Sequence, residues 1–132
     1  HRLRPLADGR LIVATGSVAD VAPLVGDAAV SVAPIRVGSG TRIKILEALA
    51  LGVPVVSTTL GAEGLDLVPG REILLADAPE AFADAVVRLL TDPATRGAMA
   101  DAGRAAVARA YDWEGIEARL ADEVRGWLAT RR

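Results

Sequence analysis

The apolar residues in the first half of the chain form short β-branched runs that alternate with amphipathic segments. Helices are predicted over 19–26 and 41–51. Strands that alternate with helices indicate a parallel sheet with right-handed crossovers. Four runs predict the strands of this sheet: 11-LIVAT-15, 28-AAVSVAP-34, 53-VPVVST-58 and 72-EILLA-76.

The second half has apolar positions at helical spacing. A helix over 79–90 opens with a proline in its first turn, and Asp92-Pro93 starts a second helix that reaches about residue 110. Asp112 is expected to cap the last helix. We interpret the apolar stripes of the first and last of these helices as core-packing faces. The stripes are Phe82, Val86, Leu89 and Leu90, and then Trp113, Ile116, Leu120, Val124 and Trp127.

These elements predict an α/β fold, a Rossmann-like parallel sheet of about four strands with flanking helices and a helical C-terminal end. The 132 residues suit a single domain, residues 1–132. A composition of 52% hydrophobic and 24% charged residues argues against disorder. The chain begins with His-Arg-Leu-Arg instead of Met, so we expect it to be a piece of a longer protein.

Charge and composition exclude several classes of function. A net charge of −2 and a pI near 5.4 argue against nucleic-acid binding. No apolar run approaches the roughly 18 residues of a transmembrane helix, and no signal peptide is recognisable. The absence of cysteine fits a cytoplasmic location. The only histidine is His1, which argues against a histidine base or a zinc site.

The candidate chemistry lies in 37-VGSGTRIKILEALALGVPVV-56, which leads from the second strand into the helix over 41–51. Ligands of parallel sheets bind beyond the carboxyl ends of the strands, where loops feed helix N-termini. Gly38 and Gly40 permit positive φ and a close approach to the backbone. Ser39 and Thr41 could cap the helix or donate to phosphate oxygens, beside the unpaired N–H groups of its first turn.

Two cations follow these glycines, Arg42 and the only lysine of the chain, Lys44. Positive charges at a helix N-terminus oppose the helix dipole, at a cost of about 0.3–1 kcal/mol each. Their placement therefore indicates that an anion binds there. Neither the dinucleotide fingerprint G-x-G-x-x-G nor the phosphate-binding G-x-x-x-x-G-K-[ST] motif is present.

Glu47 lies seven positions after Gly40, on nearly the same helical face and about 10 Å along the axis. Its neighbours Ile43 and Ala50 are apolar, so we expect its carboxylate to face inward or into a cleft. There it could hold the two hydroxyls of a ribose, and the spacing fits a nucleoside diphosphate. The structural alternative is an ordinary glycine turn followed by a surface pair between Glu47 and Lys44.

The segment 38-GSGTRIKILEALALGVPVVSTTLGAEGL-65 resembles the C-terminal, donor-binding domain of group-1 GT-B glycosyltransferases. The stretch 16-GSVADVAPLVGDAAVSVAP-34 resembles the glycine–short helix–ADV-x-V-x-P part of that family, and 73–114 looks like its helical end. The resemblance covers about residues 11–127 and is most specific over 38–65. It implies a nucleoside diphosphate sugar as donor and an acceptor-binding N-terminal domain outside this chain. It also implies a retaining enzyme without metal or cofactor, in agreement with the absence of Asp-x-Asp.

The resemblance carries over to particular residues. Glu47 matches the ribose-binding glutamate, the second of a pair separated by seven residues, and Ser39 stands where the family has the first. The chain thus departs from the paired-glutamate pattern and looks like a subgroup with a GSGT(R/N)IK loop. The N–H groups of Gly40 and Thr41 match the loop that contacts the diphosphate. The remaining matches are the turn beside the base, Gly16, Ser17 and Val18, and the nearby strand end and loop, Thr58, Thr59 and Gly61.

For a transferase of this kind, the resemblance implies that amide dipoles and cations stabilise the departing diphosphate, with assistance from Arg42 and Lys44. The basic pair of the family lies upstream of His1, so we expect this piece alone to be inactive. The enzyme would be cytoplasmic, or peripheral to the membrane through the missing domain. In the family the last helix packs across to the other domain, which would leave Trp113 and Trp127 exposed here.

Two alternatives remain open at this point. One is a half-domain of a sugar-nucleotide epimerase, for which the chain offers no histidine as acid or base. The other is a non-catalytic Rossmann-like interaction module. An apolar patch over the face of the 41–51 helix, in place of a polar crevice, would indicate such a module.

Overall fold

The computed structural model describes residues 11–38, 40 and 42–130. Three short parallel strands form the sheet in the order β1-β2-β3, with Val32 opposite Val56 and Val56 opposite Leu74. The strands are β1 (Ser31–Ala33), β2 (Val55–Ser57) and β3 (Leu74–Leu75), and a 3-10 helix covers Leu60–Ala62. The α-helices are α1 (Ala22–Gly26), α2 (Ile43–Ala50), α3 (Pro79–Thr91), α4 (Pro93–Tyr111) and α5 (Trp113–Ala129).

The α/β class and the parallel sheet are confirmed, but the described residues contain three strands and not four. The predicted strand 11–15 is wrong, because this segment pairs with neither edge of the sheet and Leu11, Ile12 and Val13 are exposed. A β-branched run supplies propensity, whereas a strand also needs a neighbouring strand to complete its hydrogen bonds. Composition alone does not show whether such pairing forms.

The core lies on both faces of β2, whose three residues are all buried. Val55 packs with Ile45, Ala48 and Leu49 of α2, while the next residue, Val56, packs on the other face. This alternation is the normal consequence of the two-residue period of a strand. Leu89 of α3 and Met99 of α4 complete the second cluster. This packing holds α2 against β2, with its first turn beside the carboxyl end of β1.

The helix boundaries agree with the prediction to within a few residues. Asp92 caps α4 by accepting hydrogen bonds from Thr95 N at 3.0 Å and from Thr95 Oγ1 at 2.6 Å. These bonds, the one from the Thr95 side chain foremost, lower the pKa of the Asp92 carboxyl. Asp112 occupies the N-cap position of α5 as expected, although its side chain makes no capping hydrogen bond.

The apolar stripes predicted for α3 and α5 differ in how far they are buried. In α3, Leu89 is buried and Phe82 and Val86 are half-buried, but Leu90 is half exposed. The core interpretation of the α5 stripe is wrong: Trp113 is 74% exposed and Leu120 60% exposed. A periodic stripe shows which face of a helix is apolar, and it does not show whether a partner covers that face.

Candidate functional site

A cavity of about 680 Å³ opens where β1 ends and α2 begins. The carboxyl end of β1, from Ala33 to Ile35, forms one wall, and the first turns of α2 form the other. Gly61, in the 3-10 helix that follows β2, also lines the cavity. A crevice beyond the carboxyl ends of parallel strands is where open α/β sheets bind their ligands.

Three charged residues of α2 and its N-cap line this cavity: Arg42, Lys44 and Glu47. Lys44 and Glu47 are exposed, and no ion pair joins them within the described part of the chain. The surface pair that we considered as an alternative is therefore not formed. We expected Glu47 to face inward or into a cleft, and in the structure its side chain lines the cleft.

The start of α2 lacks the features that ordinarily stabilise a helix N-terminus. Its N-cap residue is Arg42, which makes no side-chain capping hydrogen bond, and the first turn carries no acidic residue. Gly38 and Gly40 precede it with φ of 141° and 106°. A Cβ at Gly40 would meet no atom within 4 Å, so this part of the loop is open. The helix thus presents unpaired N–H groups and positive charge to the cavity.

The side chain of Arg42 turns inward and is 7% exposed. Its Nη2 donates a hydrogen bond of 2.8 Å to the carbonyl oxygen of Leu60. The same nitrogen lies 3.9 Å from Glu63 Oε2, but that side chain is 72% exposed. The hydrogen bond of Arg42 therefore links the start of α2 to the 3-10 helix. The sequence did not predict this contact.

Gly61 is required by close packing behind the cavity. A Cβ on this residue would collide with Ser57 Oγ and would lie 2.9 Å from both Ala33 O and Thr58 Oγ1. Thr58 Oγ1 donates to Ile35 O at 2.6 Å and accepts from Gly61 N at 3.0 Å. This hydroxyl bridges the two loops that follow β1 and β2. Thr58 thus supports the site and is itself buried.

Asp77, two residues after the end of β3, lies at the same edge of the sheet. Its Oδ2 accepts from Thr59 Oγ1 at 2.7 Å and its Oδ1 accepts from Thr59 N at 2.8 Å. These bonds, the one from the Thr59 side chain first, hold the pKa of the Asp77 carboxyl below its ordinary value. Arg36 and Asp77 line an adjoining cavity of about 360 Å³.

The family model described as "Glycosyl transferases group 1" matches residues 1–92, more than half of the chain. The chain belongs to the group-1 glycosyltransferases. It is 40% identical over 82 residues to a D-inositol 3-phosphate glycosyltransferase of Corynebacterium urealyticum, an alignment that covers 61% of this chain and 19% of that protein. No solved structure matches the chain.

A second kind of relative is a GDP-mannose-dependent alpha-(1-6)-phosphatidylinositol monomannoside mannosyltransferase of Mycobacterium tuberculosis. The identity is 37% over 94 residues, which is 70% of this chain and 24% of the mycobacterial protein. A GDP-mannose-dependent monoacylated alpha-(1-6)-phosphatidylinositol monomannoside mannosyltransferase of Corynebacterium glutamicum is 35% identical over 22% of its length. The chain thus spans about a fifth to a quarter of these curated relatives.

The structure brings together some of the residues that we assigned to the group-1 site and leaves others apart. Arg42, Lys44 and Glu47 share the large cavity, and Gly38 and Gly40 lie on the loop before it. Ser39 and Thr41 lie outside the described residues. The turn Gly16, Ser17 and Val18 is exposed, and it lines neither this cavity nor a second cavity of about 260 Å³ that Glu47 also lines. The binding roles of all ten residues remain predictions.

Sequence reasoning missed three contacts beside the candidate site. The carbonyl of Leu60 accepts a hydrogen bond from Arg42, and the carbonyl of Ile35 accepts one from Thr58. The carboxylate of Asp77 accepts a hydrogen bond from Thr59. For Asp77 a signal existed, because it directly follows the predicted strand 72–76 and a polar residue there stands at the carboxyl edge of the sheet. The two carbonyls carry no signal in the sequence, since any residue type supplies one.

We expect the Asp77–Thr59 pair to make folding depend on pH. Because the pKa of Asp77 is lower in the folded chain, its stabilisation is complete above the unfolded value of about 3.9 and is lost as pH falls through the folded value. Urea unfolding of Asp77→Asn should therefore approach that of the parent protein as pH decreases through this window. Asp101→Asn, an exposed change on α4, is the control. A difference between parent and Asp77→Asn that stays constant from pH 6 to pH 3 would contradict the assignment.

No described helix is long and apolar enough to span a membrane.

Proposed function

We propose that this chain forms the donor-binding part of a glycosyltransferase that uses a nucleoside diphosphate sugar and transfers its glycosyl group to an acceptor. The observation that carries the proposal is the shared cavity of Lys44, Arg42 and Glu47 at the carboxyl end of β1. Cations and free helix N–H groups suit a diphosphate, and a carboxylate farther along the same helix suits a diol.

The proposed chemistry is stabilisation of the leaving group. When the bond between sugar and phosphate breaks, negative charge develops on the diphosphate. Preorganised N–H dipoles and the cations of α2 bind this developing charge more strongly than they bind the ground state, which lowers the barrier. Glu47 contributes orientation, because it fixes the ribose and therefore the position of the diphosphate along α2.

The names of the relatives support a sugar nucleotide as the donor and indicate which nucleotide to test first. Two of those described above are GDP-mannose-dependent, so GDP is the first nucleotide to test. The chain spans only 19–24% of the lengths of these relatives, and our proposal places the acceptor site outside it. Retention of configuration and independence of metal are part of the proposal and rest on the family resemblance.

The interaction-module alternative required an apolar patch over the face of α2. The crevice beside α2 is mixed: Lys44 and Glu47 line it together with the exposed apolar side chains of Val32 and Ile43. The charged residues favour the donor-binding proposal, and nucleotide binding is the measurement that separates it from the module. An epimerase half-domain could share this crevice. It would need its own acid and base near the transferred sugar, and the ionisable residues that line the described part of the cavity, Arg42, Lys44 and Glu47, are those that our proposal assigns to the nucleotide.

Isothermal titration calorimetry with GDP, UDP and ADP tests the proposal. We expect at least one nucleoside diphosphate to bind, more tightly than its nucleoside by about 10-fold or more, because each charge-assisted hydrogen bond contributes roughly 1.5–3 kcal/mol. Inorganic pyrophosphate should compete with it. No binding of any of the three nucleotides at millimolar concentration would overturn the proposal.

A further inference from the structure

The backbone bends sharply as it leaves β1. Ile35 N donates a hydrogen bond of 2.9 Å to Ala33 O, which closes a three-residue turn with Pro34 at its centre. The next carbonyl, Ile35 O, accepts the 2.6 Å hydrogen bond from Thr58 Oγ1. The backbone N–H of Thr58 also donates to Ala33 O, at 3.3 Å. Thr58 therefore contacts the chain on both sides of the turn and fixes the direction in which the chain continues.

The glycine loop, residues 36–41, begins directly after this turn. Its described residues, 36–38 and 40, form no hydrogen bond with any other described residue. The nearest described side-chain hydrogen bonds on either side are the one that Ile35 O accepts and the one that Arg42 Nη2 donates. Both of these bonds lead to the segment 58–61. The position of the loop therefore depends on that segment.

The hydroxyl of Thr58 is used twice within this segment. It donates to Ile35 O and accepts from Gly61 N at 3.0 Å. A hydroxyl has a single proton, so these two bonds together fix the direction of its O–H group. Thr58 is only 6% exposed, and it lines the adjoining cavity of about 360 Å³ but not the large one. Its effect on a ligand in the large cavity must therefore pass through the loop.

We propose that Thr58 is a positioning residue of the donor site, whose hydroxyl sets the point at which the glycine loop leaves the sheet and thereby the affinity for the nucleotide. The proposal rests on the proposed function, but it assigns no ligand contact to Thr58. Backbone N–H groups of a loop bind an anion well only when they already point toward it. A loop that is held at its ends also loses less conformational freedom when the ligand binds.

Three substitutions separate this role from the loss of any buried hydroxyl. Thr58→Val keeps the shape of the side chain and removes the hydroxyl, so Ile35 O and Gly61 N lose this partner. Thr58→Ser keeps the hydroxyl and removes only the methyl group. Ser57→Ala is the matched control, because it removes a buried hydroxyl one residue earlier at the same strand end.

The two hydroxyls differ in what their carbonyl partners lose. Ser57 Oγ lies 3.3 Å from Ala33 O and 3.0 Å from Thr58 O. Ala33 O keeps the bonds from Ile35 N and Thr58 N, and Thr58 O keeps the bond from Ala62 N at 3.2 Å. For Ile35 O, the Thr58 hydroxyl is the sole partner in the described part of the chain. Ser57→Ala should therefore destabilise the fold without releasing the loop.

Calorimetry measures the affinity of the parent and the three variants for GDP, UDP or ADP, whichever the parent binds most tightly. The temperature is one at which urea unfolding shows every variant to be fully folded. We expect Thr58→Val to weaken binding by about 10-fold or more, because a displaced loop loses charge-assisted hydrogen bonds to the ligand. Thr58→Ser and Ser57→Ala should each stay within about 3-fold of the parent, although Ser57→Ala lowers the urea midpoint.

Trypsin cleavage of the free protein follows the loop without any ligand. Arg36 is exposed at the start of the loop, and Val37 after it is 90% exposed. Cleavage after Arg71, an exposed residue in the turn before β3, is the internal reference. Thr58→Val should speed cleavage after Arg36 by about 5-fold or more relative to this reference, because proteolysis reports local opening. Ser57→Ala should leave the ratio of the two cleavage rates unchanged.

The outcomes separate this proposal from the proposed function. If the parent binds none of the three nucleotides, the proposed function fails, and the trypsin comparison alone supports or refutes the hold of Thr58 on the loop. If Thr58→Val binds as tightly as the parent, or Ser57→Ala weakens binding as much as Thr58→Val does, the proposal is overturned. If Thr58→Val does not fold, Thr58→Cys takes its place, because a thiol is a weaker donor than a hydroxyl.

Discussion

Replacing Lys44 by glutamate should weaken nucleoside diphosphate binding about 10- to 30-fold while making the folded chain more stable. The two effects have opposite signs because they have one cause, the positive end of the α2 dipole. A glutamate in the first turn interacts favourably with the dipole, by about 0.3–1 kcal/mol. The same carboxylate repels the diphosphate that the lysine would attract, and exposure limits the difference to roughly 1.4–2 kcal/mol.

The measurement pairs calorimetry with urea unfolding on Lys44→Glu and Lys44→Gln. The neutral variant should lie between the parent and Lys44→Glu in affinity, and the differences should shrink at high salt because exposed charges are screened. Arg104→Glu, a charge reversal on the exposed surface of α4, controls for the change in net charge. Equal affinities of the parent and Lys44→Glu would show that Lys44 does not contact the ligand. We leave Arg42 unreversed, because a buried glutamate there would destabilise the fold by itself.

Gly61→Ala should destabilise the fold by about 1–3 kcal/mol, the usual cost of overpacking. The added methyl group would collide with Ser57 Oγ and crowd Ala33 O and Thr58 Oγ1. The hydroxyls of Ser57 and Thr58 cannot move aside freely, because each donates a hydrogen bond to a backbone carbonyl. Relief requires the 3-10 helix to move away from the strand ends. That movement would also displace Leu60 O from Arg42, so we expect nucleotide affinity to fall as well.

Gly97→Ala is the matched control for this change. Gly97 lies in α4, where a Cβ would meet no atom within 4 Å, so alanine should stabilise the helix by about 0.5–1 kcal/mol. Denaturant unfolding of the two variants should therefore give changes of opposite sign. Equal stabilities of Gly61→Ala and the parent would mean that the packing behind the cavity is looser than the contacts of Gly61 indicate.

The periodicity of the chain predicted most of the fold because its elements are strongly patterned. The run around Val55 and Val56 is buried on both faces, and α2 and α3 have clear apolar stripes. The two errors, the strand over 11–15 and the core role of α5, have a common physical origin. Both segments are apolar enough to be buried, yet most of their large apolar side chains are exposed, because burial depends on long-range packing that local sequence does not specify.

The candidate site was predictable where chemistry is local and unpredictable where it depends on side-chain direction. Positive φ at Gly38 and Gly40 followed from residue type, and the cleft position of Glu47 followed from helical spacing. The inward turn of Arg42 toward Leu60 O did not, since an N-cap side chain can point either way. Its contact spans 18 residues along the chain, beyond the range of periodicity arguments.

The central claim is that Glu47 holds the ribose of a nucleotide whose diphosphate lies at the start of α2. Calorimetry on the parent protein and Glu47→Ala, each with the tightest-binding nucleoside diphosphate and with its 2′,3′-dideoxy form, tests it most directly. We predict that the parent loses about 10-fold or more in affinity when the hydroxyls are removed, and that Glu47→Ala binds both ligands equally, within about 2-fold. A Glu47→Ala variant that binds the ribonucleotide as tightly as the parent, or that still discriminates between the two ligands as the parent does, would contradict the account.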